Sequence, residues 1–259
     1  MPNFAPVKTV FITGAGRGIG LAIARHFANL GYFVGLYDIN IASVRSAASG
    51  KEFSAACYGI CDVTDRQSVD NALAQFARET GGRLDLLVNN AGTLAHGHFE
   101  DMASEDIELM LEVNVRGLTQ VAQAAFPLLR DTPQSCLLNL CSMSSVHGCP
   151  LLAVYSATKF YVNGLTEALS LEWEEHGIHV TSVKPPVVNT AMGETVNTGY
   201  GGSRGGDMTP EQVAQAVENA VNGDKDGYLL GIPARIWGFL DGVLPNRARR
   251  ALARKLINP

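Results

Sequence analysis

Residues 13–20 read Thr-Gly-Ala-Gly-Arg-Gly-Ile-Gly, and this stretch decides the fold. An apolar run, Val10–Ile12, precedes it, and apolar residues then recur at spacings of three and four as far as Leu30. This spacing is typical of one face of a helix, so the stretch is predicted to be a turn between a first strand and a first helix. Glycines let such a turn bring backbone N–H groups close to a phosphate at the helix N-terminus. A glycine turn with a purely structural purpose is the alternative.

The alternation of short apolar runs and helical patterns continues along the whole chain. Further strands are predicted at 33–38, 55–60, 84–88, 136–140, 178–183 and 228–230, and helices from about 42, at 68–78, 107–129 and 157–175, and after 209. The last helix carries a start signal, because Thr209 and Gln212 can form a capping box. Continuous apolar strands separated by helices indicate a parallel sheet covered on both faces. We therefore predict an α/β fold, a single domain over 1–259 on a doubly wound parallel sheet of about seven strands.

Composition excludes several classes of protein. With 259 residues, 46% of them hydrophobic, the chain has ample material for a buried core and is not disordered. Its formal charge of −5 argues against a nucleic-acid partner. The five cysteines are odd in number and lack zinc-ligand spacing, so free thiols and no metal are expected. Neither a signal peptide nor a membrane-spanning run is visible, so a cytoplasmic location is expected.

Two segments stand apart from the alternating pattern. Residues 188–208 are polar and rich in glycine, so they are predicted to form a flexible loop over the substrate. Residues 235–259 form a basic segment in which Trp237, Leu240 and Leu244 lie at helical spacing. A basic amphipathic helix can lie on an anionic membrane surface, but it can equally cover a cleft or pack against a second subunit. Covering the cleft or packing against a second subunit is the favoured interpretation, and a frayed tail is the remaining alternative.

Asp38 ends the second predicted strand, 18 residues beyond Gly20. A carboxylate at that point can accept hydrogen bonds from both ribose hydroxyls of a dinucleotide and repels a 2′-phosphate. Asp38 therefore favours NAD over NADP, whereas Arg17 inside the glycine turn is a weaker signal for NADP. A helix-capping role for Asp38 is the structural alternative.

Five motifs occur together along the chain. The glycine pattern T-G-x-x-x-G-x-G occupies residues 13–20, and Asn-Asn-Ala-Gly follows the fourth predicted strand at residues 89–92. Tyr155 and Lys159 form a Tyr-x-x-x-Lys motif, and Ser142 stands thirteen residues before the tyrosine. With Asn114 in a predicted helix as the fifth, these motifs make the sequence resemble the short-chain dehydrogenase/reductase family over nearly its whole length.

The resemblance implies a Rossmann-type fold with a nicotinamide dinucleotide bound along the carboxyl ends of the strands. The residues that it implies for cofactor binding are Gly14, Arg17, Gly18, Ile19, Gly20, Asp38, Asp62, Val63, Asn89, Ala91, Tyr155, Lys159, Val188 and Thr190. It also implies a homotetramer or homodimer. Two positions depart from the family pattern: Pro186 replaces a glycine after the sixth strand, and Cys141 replaces a serine beside Ser142.

Four residues are predicted to be catalytic: Asn114, Ser142, Tyr155 and Lys159. Tyrosine has an ordinary pKa of about 10 and is a poor base alone. Lys159 lies four residues later on the same helix face, so its positive charge favours the phenolate. The resemblance implies that Ser142 donates to the substrate oxygen, and that Asn114 holds a water that links Lys159 to solvent.

The predicted function is that of an NAD(H)-dependent oxidoreductase that interconverts a secondary alcohol and a ketone. Met143 and Cys149 suggest an apolar wall and hence an apolar substrate of medium size. His147 is a candidate polar contact, with a surface position as the more common alternative for a histidine. An NADP(H)-dependent carbonyl reductase is the enzymatic alternative. A catalytically silent, nucleotide-binding regulatory protein is the alternative from another class, because a fold does not determine function.

Overall fold

A computed structural model describes residues 7–199 and 208–232 and, beyond them, residues 236, 238, 243–245, 247, 248, 250 and 251. Seven strands form one sheet, in the order β3-β2-β1-β4-β5-β6-β7, and the pairs are parallel. The strands are β1 (Thr9–Thr13), β2 (Phe33–Asp38), β3 (Ala56–Ile60), β4 (Leu86–Asn89), β5 (Cys136–Leu140), β6 (His179–Lys184) and β7 (Tyr228–Leu229). The strand order reverses between β1 and β4, which is the switch point of a doubly wound sheet. The predicted fold class is confirmed.

Helices cover both faces of the sheet. They are α1 (Gly18–Asn29), α2 (Ile41–Ala48), α3 (Arg66–Thr80), α4 (Ser104–Leu111), α5 (Leu118–Arg130), α6 (Ala153–Glu172), α7 (Ala191–Gly199) and α8 (Pro210–Val221). Successive strand residues point to opposite faces, so Val10 of β1 packs in the core under α1 and α8, and Phe11 packs under α3 and α5. The sheet therefore has a core on each side, as the continuous apolar strands predicted.

The long helix predicted at 107–129 is interrupted. Residues Glu112–Gly117 form a π-helical turn between α4 and α5. Gly117 fits closely there, because a Cβ on it would lie 2.9 Å from Val63 Cγ2 and 3.0 Å from the Val63 carbonyl oxygen. Insertions of this kind are frequent at functional sites. The turn carries Asn114, which is 1% exposed, into the interior beside α6.

Helix α6 begins at Ala153, four residues before the predicted start. The residue at its N-cap is Leu152, which makes no side-chain capping bond, so the sequence carried no start signal. The earlier start places Tyr155 in the first turn of the helix and Lys159 one turn later on the same side. The capping box of α8 is confirmed, since Thr209 N–H donates to Gln212 Oε1 and Gln212 N–H donates to Thr209 Oγ1.

The segment predicted as a flexible loop, 188–208, contains the helix α7. Residues 200–207 lie outside the described part of the chain. Most of the basic segment 235–259 lies outside it as well, so its predicted role stays a prediction. In the described ranges, no helix is long and apolar enough to cross a membrane.

Candidate active site

A cleft of about 810 Å³ lies along the carboxyl ends of the strands. It brings together most of the residues that the sequence singled out. Lining it are Gly14, Arg17, Gly18, Ile19, Gly20, Asp38, Asp62, Val63, Ala91, Ser142, Tyr155, Lys159, Val188 and Thr190. Asn89 and Asn114 are not among the described lining residues.

One end of the cleft is built from the glycine turn. The Asn90 side chain donates to the carbonyl oxygens of Thr13 and Gly14, at 2.9 and 3.0 Å, and thereby holds the turn against the end of β4. Gly14 has a φ of +65° and Gly18 a φ of +54°, a region that glycine adopts without strain. A Cβ on Gly20 would lie 2.2 Å from the Gly14 carbonyl oxygen, so only glycine lets α1 start so close to the turn.

The N-terminus of α1 faces this end of the cleft. Arg17 is its N-cap residue, and its side chain makes no capping bond to the first turn. The first N–H groups of a helix have no partner within the helix, and together they favour an anion. The turn, its uncapped N–H groups and the open cleft before them therefore fit the pyrophosphate of a dinucleotide.

Asp38 lies at the end of β2, where its carboxylate is held by the backbone. Gly16 N–H donates to Oδ2 and Asn40 N–H donates to Oδ1, each at 3.0 Å. A Cβ on Gly16 would lie 3.0 Å from Asp38 Oδ2, so the glycine turn and the carboxylate are in close contact. Each oxygen keeps a further lone pair for a ligand.

Asp62 and Val63 follow β3 at the same end. Asp62 Oδ1 accepts from Thr64 N–H at 2.9 Å and from Thr64 Oγ1 at 2.7 Å, which fixes the carboxylate. Ile39, which is exposed and also lines the cleft, adds an apolar surface. A flat ring system bound there would contact an apolar surface at Ile39 and a polar group at Asp62.

The structure corrects the predicted position of Asn89. Its side chain is 2% exposed and donates to the Leu118 carbonyl oxygen and to Asn139 Oδ1, each at 3.2 Å, inside the core. The asparagine that lines the cleft is Asn90, one residue later. Sequence reasoning missed it, although the alternation of side chains at the end of a strand could have shown that the two asparagines face opposite ways.

At the other end of the cleft, Ser142 from the turn after β5 meets Tyr155 and Lys159 of α6. Lys159 is 6% exposed, its Nζ donates to the Leu140 carbonyl oxygen at 2.9 Å, and it lies 5.6 Å from the centre of the Tyr155 ring. The Ser142 hydroxyl lies near enough to the Tyr155 phenol for side-chain hydrogen bonding to lower the pKa of the phenol. Cys141, next to Ser142, is buried and donates to the Lys159 carbonyl oxygen at 3.3 Å, so this departure from the family pattern serves packing.

Burial and hydrogen bonding act in opposite directions on the tyrosine. Burial raises the pKa of Tyr155 above its ordinary value of 10, and the hydrogen bond from Ser142 lowers it. Burial also lowers the pKa of Lys159, because the charged form loses water. A positive charge brought close to the phenol would favour the phenolate, and with it proton transfer by Tyr155.

Asn114 lies behind Lys159 and not in the cleft wall. Its Oδ1 accepts from Thr93 N–H at 2.8 Å, and its Nδ2 donates to the Thr93 carbonyl oxygen at 2.8 Å and to Thr158 Oγ1 at 3.2 Å. Both amide hydrogens are therefore used, and a spare lone pair remains on Oδ1. A Cβ on Gly92 would lie 3.3 Å from Asn114 Oδ1 and 4.0 Å from Lys159 Nζ. Glycine at this position thus keeps open a space between the two groups.

Beyond Ser142 and Tyr155 the cleft wall is mostly apolar. Its lining includes Leu94, Val113, Met143, Cys149, Leu152, Val187 and Met192, together with His147. The charged side chains of the described lining, Arg17, Asp38, Asp62 and Lys159, lie elsewhere in the cleft. Pro186 is part of the lining, and the chain after it still brings Val188 and Thr190 to the cleft. Thr190 Oγ1 accepts from Gly193 N–H at 3.1 Å and so caps α7.

Comparison with known proteins adds family relationships to this geometry. The sequence profile of the short chain dehydrogenase family matches residues 8–201. An uncharacterized oxidoreductase of Staphylococcus aureus strain USA300 is 31% identical over 218 residues, which are 84% of this chain and 92% of that protein. The oxidoreductase UcpA of Salmonella typhimurium strain LT2 is 37% identical over 196 residues, 73% of this chain and 72% of that protein.

Two solved structures have the same fold. The 3-ketoacyl-(acyl-carrier-protein) reductase from Brucella melitensis, complexed with NADH, is 26% identical with a TM-score of 0.78. The alcohol dehydrogenase from the archaeon Thermococcus sibiricus, complexed with 5-hydroxy-NADP, is 25% identical with a TM-score of 0.76. Each match covers 86% of this chain and 96% of the other chain.

Proposed function

The chain belongs to the short-chain dehydrogenase family, and from that premise we propose that it is an NAD(H)-dependent oxidoreductase that interconverts a secondary alcohol and a ketone. Two solved structures of the same fold hold a nicotinamide dinucleotide, which is NADH in one and 5-hydroxy-NADP in the other. The observation that carries the proposal is the grouping of Ser142, Tyr155 and Lys159 at the end of a cleft whose other end fits a dinucleotide.

Alcohol oxidation requires a hydride to leave carbon while a proton leaves oxygen. A nicotinamide dinucleotide held by the glycine turn and Asp38 would supply the hydride acceptor, and in the reverse direction the hydride donor. Tyr155 would take the proton as phenolate and return it as phenol. Ser142, within hydrogen-bonding reach of Tyr155, would donate to the same substrate oxygen and so hold it beside the tyrosine.

Lys159 would favour the phenolate by its charge. Its Nζ is fixed by the Leu140 carbonyl oxygen, and burial leaves that charge little screened by water. The remaining donor positions of the ammonium group are available to a ribose hydroxyl, as the family resemblance implies.

The space over Gly92 supports a proton exit. It lies between Asn114 Oδ1 and Lys159 Nζ, and the spare lone pair of Oδ1 suits a water molecule there. We therefore propose that Asn114 acts through such a water, from behind the lysine, and does not touch the substrate.

The position of Asp38 supports NAD as the cofactor. Two backbone N–H groups hold its carboxylate at the end of β2, where it would accept from ribose hydroxyls and repel a 2′-phosphate. Arg17 favours the second candidate, an NADP(H)-dependent carbonyl reductase, because it is exposed in the cleft lining near the same position. The fixed carboxylate is the stronger signal.

The substrate end supports an apolar substrate of medium size. Leu94, Val113, Met143, Leu152 and Met192 provide apolar surface there. His147, also in the lining, would contact a polar group of the substrate. The homotetramer or homodimer and the cytoplasmic location stay predictions.

The test is nicotinamide absorbance on mixing the protein with NAD or NADP and a panel of secondary alcohols, and with the reduced cofactors and matching ketones. We expect turnover, a preference for NAD and better kcat/KM for apolar alcohols. Asp38→Ala should reduce the NAD preference by about ten-fold or more, since it removes ribose contacts and repulsion together. An unchanged preference in that variant would show that Asp38 does not select the cofactor.

A further inference from the structure

Ser142 is held by a second serine that the family motif does not include. Ser142 caps a short 3-10 turn, Met143–Ser145, and its Oγ accepts the N–H of Ser144 at 3.1 Å. The Ser142 hydroxyl in turn donates to Ser144 Oγ at 3.3 Å. Ser144 is 7% exposed and lies in the cleft lining, so little water competes for these contacts.

A hydroxyl group has one hydrogen and two lone pairs. The Ser144 N–H occupies one lone pair of Ser142, and the hydrogen of Ser142 has two acceptors in reach, Ser144 Oγ and the Tyr155 phenol. The contact with Ser144 is long for a hydroxyl pair, so it is easily exchanged. If the Ser142 hydrogen turns towards the reacting oxygen, the Ser144 hydroxyl can donate to the second lone pair of Ser142.

We propose that Ser144 is a positioning residue that sets the direction of the Ser142 hydroxyl during the reaction. With both lone pairs of Ser142 taken by Ser144, its single hydrogen has only the substrate oxygen and the phenol to bind. The proposal rests on the proposed function, in which Ser142 donates to the substrate oxygen. No proton changes owner in this step, since two hydroxyl groups only rotate.

Ser144 is itself oriented from its other side. Cys149 Sγ lies 3.9 Å from Ser144 Oγ and 3.5 Å from the His147 carbonyl oxygen, and Cys149 N–H donates to Ser156 Oγ of α6 at 3.1 Å. Contacts thus run from Ser156 of α6 to Cys149, from Cys149 to Ser144, and from Ser144 to Ser142. Ser144 therefore has a fixed place between the start of α6 and the end of β5.

Ser145 provides a matched control. It lies in the same turn, is 5% exposed, and donates through its hydroxyl to the backbone carbonyl oxygen of Ser142 at 2.7 Å. It supports the turn without a contact to Ser142 Oγ in the described structure, and it does not belong to the described lining. Ser144→Ala and Ser145→Ala each remove one buried hydroxyl, but only the first frees the Ser142 side chain.

The experiment compares these variants with the parent enzyme in steady-state oxidation over a range of pH. Ser144→Ala should lower kcat about five-fold, the rate equivalent of one ordinary hydrogen bond, with little change in KM or in NAD binding. Because the Ser142 hydrogen bond lowers the pKa of Tyr155, its weakening should also move the rise of kcat to higher pH. Ser144→Thr, which keeps a hydroxyl, should restore kcat, and Ser145→Ala should leave kcat and the pH profile unchanged while it lowers Tm.

The double variant separates this inference from the proposed function. If Ser142→Ala lowers kcat strongly and Ser144→Ala costs nothing further in that background, Ser144 acts through Ser142 as proposed. If Ser142→Ala is impaired and Ser144→Ala is not, Ser144 has no positioning role. The same conclusion follows if Ser144→Ala and Ser145→Ala lose activity equally. Full activity of Ser142→Ala would instead contradict the role of Ser142 in the proposed function.

Discussion

The two ends of the cleft differ in the groups that form them: backbone groups form most of one end, and side chains form the other. The nucleotide end consists mainly of backbone: uncapped N–H groups of α1, a glycine turn, and a carboxylate that two N–H groups hold. The end that we propose to be catalytic, formed by Ser142, Tyr155 and Lys159, consists of buried or partly buried side chains after β5 and on α6, such as Lys159 against the Leu140 carbonyl oxygen. The glycine turn of the nucleotide end tolerates no added Cβ at Gly20, whereas the catalytic end depends on single functional groups.

This contrast predicts that variants at the two ends fail in different ways. At the nucleotide end we expect loss of cofactor binding. At the catalytic end we expect loss of turnover with cofactor binding intact.

The largest effect is expected from Tyr155→Phe. Removal of the phenol hydroxyl eliminates the proton acceptor, so kcat should fall by about a thousand-fold or more, within the range typical of general acid–base groups. Steady-state absorbance assays and a titration of NAD binding measure the two properties separately. Tyr161→Phe is the control on the same helix, because its hydroxyl contacts Thr119 Oγ1 at 2.9 Å, away from the described cleft lining. Comparable losses in both variants would contradict the assignment of Tyr155.

The second effect is expected from Gly20→Ala. A Cβ there would lie 2.2 Å from the Gly14 carbonyl oxygen and 2.5 Å from Asn90 Nδ2, so the turn must move. We expect NAD binding to weaken by about ten-fold or more and the free energy of unfolding to fall by about 1–3 kcal/mol, as is typical of overpacking. Isothermal titration and urea unfolding measure these quantities. Gly148→Ala is the control, because the described structure has no atom beyond its chain neighbours within 4 Å of the added Cβ, and it should change neither NAD binding nor the free energy of unfolding. Unchanged NAD binding in Gly20→Ala would disprove the role of the glycine turn in holding the cofactor.

The smallest effect is expected from Thr158→Val, which tests how Asn114 is held. Thr158 Oγ1 accepts from Asn114 Nδ2 at 3.2 Å and donates to the Tyr155 carbonyl oxygen at 2.7 Å. Without it, one buried N–H of Asn114 loses its partner, which should cost about 1–3 kcal/mol of stability. We also expect kcat to fall a few-fold, because Asn114 and the start of α6 are less firmly placed.

Thr166→Val is the matched control for this variant. Thr166 lies on the same helix, accepts from Asn139 Nδ2 at 3.0 Å and donates to the Val162 carbonyl oxygen at 2.7 Å, an equivalent pair of contacts inside the core. Both variants should lose similar stability in urea unfolding, while only Thr158→Val should lose turnover at saturating substrate. Equal turnover in the two variants would mean that Thr158 serves the fold alone.

The sequence predicted almost all of the nucleotide end, which the glycine turn and Asp38 form. Val10–Ile12, the glycines and the next helical pattern are adjacent in the chain, so the turn follows from local geometry. Asp38 could be placed at the end of β2 for the same reason. Asn89 was misplaced because neighbouring residues at a strand end face opposite sides, and only the packing of α5 shows that Asn89 faces the core.

For the end of the cleft that consists of side chains, the sequence predicted which residues take part but not how they are arranged. The resemblance supplied Asn114, Ser142, Tyr155 and Lys159 by spacing, yet the π-helical turn that moves Asn114 behind Lys159 has no signal in the periodicity. Helix α6 begins without a capping side chain, so its start was placed too late. The sequence does not predict the contact of Ser144 with Ser142, because Ser144 belongs to none of the motifs.

By itself, then, the sequence determined the parallel sheet, the glycine turn and the carboxylate at the end of β2, since these depend on periodicity and on residues close in the chain. The tertiary structure alone decided which asparagine faces the cleft, where Asn114 lies, and that Ser144 holds Ser142. The physical reason is that these features depend on contacts between segments far apart in the chain, or on the direction of a single hydrogen bond. Such contacts are fixed by packing, which local residue spacing does not encode.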